Sequence, residues 1–336
     1  MIEDQATFVC GHPKSGTSLL RGLLDSHPQL IVFPEETKFF RRVLPALAGL
    51  DPDRAAAVVE DRVLGMLRWN VRAPVESQAG FLDRDYSHLP REAIMAAYRR
   101  RAASCAQATA LLGAAILAYG EGTGQLGPDT VRWVEKSPYN ERFADRAAAA
   151  WPQARFVHVV RDPRDNFASY RRKHPDWTPA VFAESWRRST HLGWKNEAAL
   201  GLDRYRMLRY EDLVLQTESV VADLVGFLGI EPAPGLIRPT RDGRAWTGNS
   251  MFGEAFDQID SRPVGRHAQD LESEASREIE RRLEAEMTRL AYPLGRPLSV
   301  AERATARLRR LWRSVRGADP LPPSTPAGGT KGGRGG

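Results

Sequence analysis

Residues 7–28 read TFVCGHPKSGTSLLRGLLDSHP, and the order of events in this stretch decides the fold. Thr7-Phe8-Val9-Cys10 is a short apolar run without a breaker, the pattern of a strand buried on both faces. The turn Gly11-His12-Pro13-Lys14-Ser15-Gly16 follows at once. From Ser15 onward Leu19, Leu20, Leu23 and Leu24 fall at helical spacing, and His27-Pro28 stops the helix. Strand, glycine-containing loop and helix in that order predict a βαβ half-unit. Its loop amides and its helix N-terminus together form a cradle for an anion.

The same grammar continues outward. Leu30 to Phe33 reads as a second strand, followed by FPEETKFF, in which Pro34-Glu35-Glu36 is expected to open a helix with its carboxylates on the positive end of the dipole. A helical region rich in alanine and arginine covers Asp53 to Tyr119, interrupted near Ala73-Pro74 and Leu89-Pro90. Gly120 to Asp129 is expected to be a glycine-rich loop, Val131 to Glu135 a strand, and Lys136-Ser137-Pro138 the start of a helix to Ala150. Arg155 to Val160 is the clearest central strand. It ends in RDPRDN, with a helix starting near Pro163, where a missing N–H costs nothing. Arg204 to Arg209 predicts another strand, and helices are expected over Glu218 to Leu228 and Glu272 to Leu290. Residues 231–270 show no periodicity. Short apolar runs alternating with helical patterns predict an α/β fold, a P-loop-like parallel sheet flanked by helices, in one domain over residues 1–295.

The chain has 336 residues, 42% hydrophobic and 27% charged, which excludes disorder as its main theme. Two cysteines, Cys10 and Cys105, cannot staple a chain of this length, and no C-x-x-C pair offers structural zinc, so a reducing, cytoplasmic setting is expected. The N-terminal residues lack a basic flank with an apolar core, and no run of about 18 apolar residues occurs. Neither a signal peptide nor a membrane span is expected. Of the net charge of +6, residues 301–316 contribute +5 through six arginines against Glu302, and the tail contributes +1. Residues 1–300 are thus formally neutral, which argues against a nucleic-acid partner. Residues 296–316 read as a basic amphipathic helix, with Leu308, Leu311, Trp312 and Val315 opposite the arginines. Two placements stay open: packed on the domain with a solvated basic face, the preferred reading, or lying through 298–316 on an anionic membrane surface as a weak peripheral contact. Residues 317–336, with seven glycines and four prolines, are expected to be disordered.

Gly11 and Gly16 keep the spacing of a nucleotide-binding loop, yet Gly16 is followed by Thr17-Ser18, and the lysine stands inside the loop at Lys14. A metal-holding carboxylate should end a central strand. FVHVV ends instead in Arg161, a cation. The pattern points to anionic groups neutralised by side chains, with no metal required.

At these motifs the chain resembles the sulfotransferases that use 3′-phosphoadenosine 5′-phosphosulfate (PAPS). FVCGHPKSGTSLLRGLLDSHP is similar to that family's 5′-phosphosulfate loop and helix, which assigns Pro13, Lys14, Ser15, Gly16, Thr17 and Ser18 to the cofactor. VVRDPRDNFASY resembles its 3′-phosphate motif, with Arg161 and, eight residues on, Ser169. RYEDL at Arg209 to Leu213 matches the downstream strand and helix start, and Tyr210 resembles the residue that touches adenine. The resemblance spans about Thr7 to Tyr292. An arginine fixed at a strand end suits a phosphate by two parallel N–H bonds, and a serine two turns into the next helix can add a hydroxyl.

Sulfuryl transfer to a hydroxyl needs a base for the acceptor's proton and cations for the leaving phosphate. One branch of the family uses a histidine two residues after a strand lysine; here Lys136 is followed by Ser137-Pro138, which closes that route. The branches acting on protein tyrosine and on glycosaminoglycans use a glutamate after the second strand, and FPEETKFF aligns Glu36 with it by two independent registers. Glu35 is the neighbouring alternative. Lys14 and Lys136 resemble the pair that stabilises the bridging oxygen, and Arg241 to Ser250 resembles a loop closing over the 3′ side. His158 reads as a core histidine and His12 as a positioning residue. His174, His191 and His267 have no neighbours at metal-ligand spacing. Trp177, Trp186 and Trp194 are expected to pack a helix. The resemblance implies transfer of a sulfuryl group from PAPS to a hydroxyl acceptor, with a small molecule, sugar or lipid preferred. Two other readings compete: a kinase-like phosphoryl transferase using the same loop, and a non-catalytic nucleotide-binding adaptor held at a membrane.

Overall fold

The apolar run at Thr7 becomes the middle strand of a parallel sheet. The computed structural model describes residues 1–25, 27–78, 84–246, 248 and 259–295, and Met1–Pro293 forms one compact unit. In chain order its principal elements are β1 (Ala6–Cys10), α1 (Thr17–Leu24), β2 (Leu30–Val32), α2 (Pro52–Arg62), α3 (Arg91–Ala102), α4 (Ala110–Thr123) and β3 (Arg132–Lys136). There follow α5 (Ala144–Ala150), β4 (Arg155–Val160), α6 (Pro163–Arg171), α7 (Pro179–Leu200), β5 (Tyr205–Arg209), α8 (Tyr210–Leu215) and α9 (Thr217–Leu228). A small hairpin, β6 (Thr240–Arg241) and β7 (Arg244–Ala245), precedes α10 (His267–Asp270) and α11 (Ser273–Arg289). The basic helix and tail expected over 296–336 lie outside the described residues.

Strand order is β2-β3-β1-β4-β5, with every neighbouring pair parallel. Alternation along the strands splits the core by residue type. Phe8, Trp133, Phe156 and Tyr205 point to one face and pack with α2 to α4. Val9, Val134, Val157 and Val159 point to the other, against α1, α8 and α9. Rings on the aromatic face touch in series: Phe8 lies 5.7 Å from Trp133 and 5.3 Å from Phe156, which is 5.6 Å from Tyr205. Each such buried side chain contributes about 1.5–3 kcal/mol by leaving water. Because all five strands are parallel, their carboxyl ends emerge on one edge. That edge carries the Gly11–Gly16 loop, Glu36, Lys136, Arg161 and Tyr210, at the place where open α/β sheets bind ligands.

Three expectations fail locally. Gly120–Thr123 belongs to α4, and the loop starts only at Gly124, whose φ of +75° ends the helix. The glycines serve close packing: a methyl on Gly120 would lie 2.6 Å from Ile31, and one on Gly122 2.4 Å from Ile94. Pro34-Glu35-Glu36 opens no helix. Backbone donors of that stretch go to the end of β3 instead, Thr37 N–H to the Glu135 carboxylate (3.3 Å) and Lys38 N–H to Ser137 Oγ (2.9 Å), and a π-helical turn follows at Phe39–Val43. Ser137-Pro138 likewise leads into a turn, because Tyr139 adopts φ +71° and gives its N–H to the Gly11 carbonyl (3.1 Å). Helix α5 starts only at Ala144.

Candidate active site

The loop after β1 is held from behind. A methyl on Gly11 would stand 2.2 Å from the Val159 carbonyl, and one on Gly16 2.3 Å from the Tyr210 ring; both glycines have left-handed φ, +133° and +103°. Lys14 also takes a left-handed φ of +68°. His12 is buried, with Nδ1 2.9 Å from Asn166 Oδ1 and Nε2 3.2 Å from Ser185 Oγ. Burial brings its imidazole down to about 3, so it is neutral and serves as a spacer under the loop. Asn166 also donates to the Pro13 carbonyl (3.1 Å). Thr17 opens α1, and Ser15 Oγ is buried without a hydrogen-bond partner among the described residues.

Lys136, the last residue of β3, is buried and joins two segments. Its Nζ donates to Ser18 Oγ at 3.0 Å and to Glu36 Oε1 at 2.6 Å. Burial alone would raise the Glu36 pKa, but the ammonium groups of Lys136 and Lys38 outweigh it and pull the carboxyl down to about 2. Burial lowers the Lys136 pKa against the opposing pull of Glu36. Lys14, on the other side of the loop, falls to about 8 through burial and then repulsion from Lys173. Glu35 points elsewhere. It is fully enclosed, accepting from Arg84 (2.5 Å) and from the Tyr86 hydroxyl (2.6 Å).

Arg161 follows β4 and lies with its guanidinium 4.6 Å above the Tyr210 ring. It donates to the carbonyls of Lys14 (3.2 Å) and Pro263 (2.7 Å), and its Nε is buried with no partner among the described residues. Ser169 is buried on the second turn of α6. The structure therefore brings Lys14, Gly16, Arg161 and Tyr210 into direct contact with one another's segments, and Ser18, Lys136 and Glu36 into another chain of contacts. Among the described residues, no group of three or more His, Cys, Asp or Glu side chains is placed to hold a metal ion.

Residues 6–234 match the model of a sulfotransferase family, more than half of the chain. The chain belongs to the sulfotransferase family. Its members transfer sulfuryl groups, typically from PAPS. Solved structures with a similar fold include the sulfotransferase domain from the curacin biosynthetic pathway, at 20% identity and a TM-score of 0.49, covering 86% of this chain and 98% of that one. The sulfotransferase domain of the Synechococcus PCC 7002 olefin synthase shares 20% identity at a TM-score of 0.44, over 91% and 94% of the two chains. A sulfotransferase from Mycobacterium avium shares 15% at 0.42, over 86% and 78%. No curated protein sequence matches this chain significantly.

In this sulfotransferase a further set of residues, unmarked by any local motif, supports the site. Glu135 accepts from Thr37 Oγ1 (2.7 Å), Ser137 Oγ (2.6 Å) and Asn140 Nδ2 (2.6 Å), and so clamps the Glu36 segment to the end of β3. Glu141 accepts from Gly11 N–H (3.1 Å) and Ser189 Oγ (2.5 Å). Burial raises the pKa of both carboxyls. His158 is a core histidine as expected, 2.8 Å from the Tyr205 hydroxyl. The hairpin that overlaps Arg241 to Ser250 packs at the end of α1, where Thr240 Oγ1 and Gly243 N–H donate to Asp25 Oδ2 (2.7 and 2.9 Å). Residues 247 and 249–250 of that stretch lie outside the described residues. No described helix is long and apolar enough to cross a membrane.

Proposed function

We propose that this chain moves the sulfuryl group of PAPS to a hydroxyl acceptor, leaving adenosine 3′,5′-bisphosphate, with Glu36 as the general base. One observation carries the reading: Lys136 Nζ bridges Ser18 of the anion loop and the Glu36 carboxylate, so a cradle for the donor and a proton acceptor share a single buried cation. The residues present fit the cofactor. Ser15 Oγ and Arg161 Nε are buried donors without partners among the described residues, which an incoming anion would satisfy.

The loop of Pro13, Lys14, Ser15, Gly16, Thr17 and Ser18 would hold the 5′-phosphosulfate, and Arg161 with Ser169 the 3′-phosphate. Tyr210, whose ring backs Gly16, would touch adenine. The cofactor, when bound, supplies a sulfuryl group already activated on a phosphate leaving group. Glu36 takes the proton of the acceptor hydroxyl. Held at about 2 by Lys136 and Lys38, it is ionised but weakly basic. Movement of the Lys136 ammonium from Glu36 toward the developing negative charge does two things at once: it neutralises that charge with Lys14 beside it, and it returns basicity to the carboxylate.

The cofactor assignment is tested by melting the protein with adenosine 3′,5′-bisphosphate and no added Mg²⁺. A ligand that binds only the native state raises the melting temperature by mass action. We expect a clear rise, much smaller with 5′-AMP, and loss of the difference in Arg161→Ala. An equal shift from 5′-AMP contradicts the role of Arg161.

A further inference from the structure

Two arginines outside the assigned loops face a single aromatic ring. The guanidinium of Arg142 lies 4.2 Å from the Tyr139 ring centroid, and that of Arg41 lies 5.7 Å from the same centroid. A ring attracts one cation by about 0.5–1 kcal/mol at an exposed site, but two like charges beside it repel each other. Several arginines elsewhere in the fold are matched by carboxylates: Arg99 with Glu60, Arg164 with Asp162 and Glu280, Arg187 with Glu286. Neither Arg41 nor Arg142 makes an ion pair with a described residue, and Arg142 Nε is buried with no hydrogen-bond partner among the described residues.

The pair sits beside the transfer site. Tyr139 is tied by its N–H to Gly11 of the anion loop and meets His12 edge-on at 5.6 Å. Arg41 lies on the π-helical turn that follows the Glu36 segment, and the Glu36 carboxylate is among the charges that act on it. Arg41 is exposed and Arg142 half-buried, with its Nε enclosed.

We propose that Arg41 and Arg142 bind an oxyanion of the acceptor: the substrate carries a carboxylate or a phosphate in addition to the hydroxyl that receives the sulfuryl group. The inference rests on the sulfuryl-transfer reading above. Two planar forks with unused N–H donors suit an oxyanion by parallel hydrogen bonds, and such a ligand relieves the repulsion between them. It would fix the acceptor while its hydroxyl faces Glu36.

The test uses the full chain saturated with adenosine 3′,5′-bisphosphate, so that the cofactor cradle is filled, with methyl phosphate and acetate as probes in ligand-observed NMR at matched ionic strength. We expect one of the two anions to bind; which one assigns phosphate or carboxylate. In Arg41→Gln/Arg142→Gln its affinity should fall at least about tenfold, the scale of a lost hydrogen bond to a charged group. Arg41→Lys/Arg142→Lys should lie between, keeping charge without the fork. Melting temperature and bisphosphate affinity report the folding of each variant, and the two single Gln variants replace the double if it fails to fold. Binding of neither anion to the wild type, or equal binding to wild type and Gln variants, overturns the inference. Failure of the bisphosphate itself to bind the wild type defeats the sulfuryl-transfer reading, and the inference with it.

Discussion

Lys14 is the group at the loop whose charge changes nearest to neutral pH. Its folded pKa of about 8 lies below its ordinary 10.5, so the unfolded chain binds more protons between those values. On this group's account stability rises with pH across that window, and a bound anion, by restoring the higher pKa, removes the gain. Bisphosphate binding should therefore take up a proton above pH 8 and weaken as pH rises from 7 to 9. Titration calorimetry in two buffers of different ionisation enthalpy checks this; Lys14→Ala should bind more weakly and without proton uptake through this window, and a pH-independent wild type contradicts the assignment. Lys14, Ser15, Arg161, Ser169 and Tyr210, the residues proposed for the cofactor, can be picked from the sequence because each sits in a contiguous motif at a strand end. Glu141 and the proposed pair Arg41 and Arg142 cannot. Glu141 meets its partner Gly11 across 130 positions, and no local pattern marks a carboxylate that works from that distance.

Elements declare themselves where one periodicity rules. Arg155 to Val160 is β4 to the residue and Pro163 starts α6, as the sequence predicts, while Asp162 caps that helix through the Arg164 N–H. Segments 33–38 and 137–139 depart from the helix starts that their sequence predicts because long-range partners claim their backbone donors: Glu135 and Ser137 for the first, Gly11 for the second. Local rules for helix starts cannot see such partners. The loop between β1 and α1 depends on glycine for space as well as for φ. Gly16→Ala adds about 1–2 kcal/mol of left-handed strain and drives a methyl into Tyr210. We expect that variant to fold but to bind adenosine 3′,5′-bisphosphate more than about tenfold less tightly, by calorimetry. Unchanged affinity would mean that Tyr210 does not set the shape of the cradle.

For the molecule as a whole, much of what holds the site comes from beyond the stretch that matches the family, which ends at 234. Helix α11 supplies Glu280 to Arg164 (2.5 Å), and Tyr292 reaches Glu211, which accepts from Asp162 N–H (2.9 Å) directly after Arg161. Asp165 accepts from Gly265 N–H and His267 N–H, both at 2.7 Å, and so anchors the segment whose Pro263 carbonyl meets Arg161. Glu280→Ala takes one of two carboxylates from the buried Arg164 guanidinium and leaves Asp162, so it should cost about 1.5–3 kcal/mol in urea denaturation, the scale of a hydrogen bond to a charged group; a loss below about 1 kcal/mol would show that α11 is not needed to hold α6. The amphipathic pattern of α11 is readable, but its duty toward Arg164 is not, since nothing in RDPRDN marks Arg164 as the partner of a carboxylate 116 positions on. The most direct measurement of the central claim is mass spectrometry of a metabolite extract incubated with the full chain and PAPS. The account predicts a species that gains one SO₃, formed at least about 10²-fold more slowly by Glu36→Gln at unchanged bisphosphate affinity, while Glu35→Gln acts chiefly by lowering the melting temperature. No gain of SO₃ by any species from a chain that binds the bisphosphate, or undiminished turnover in Glu36→Gln, would contradict it.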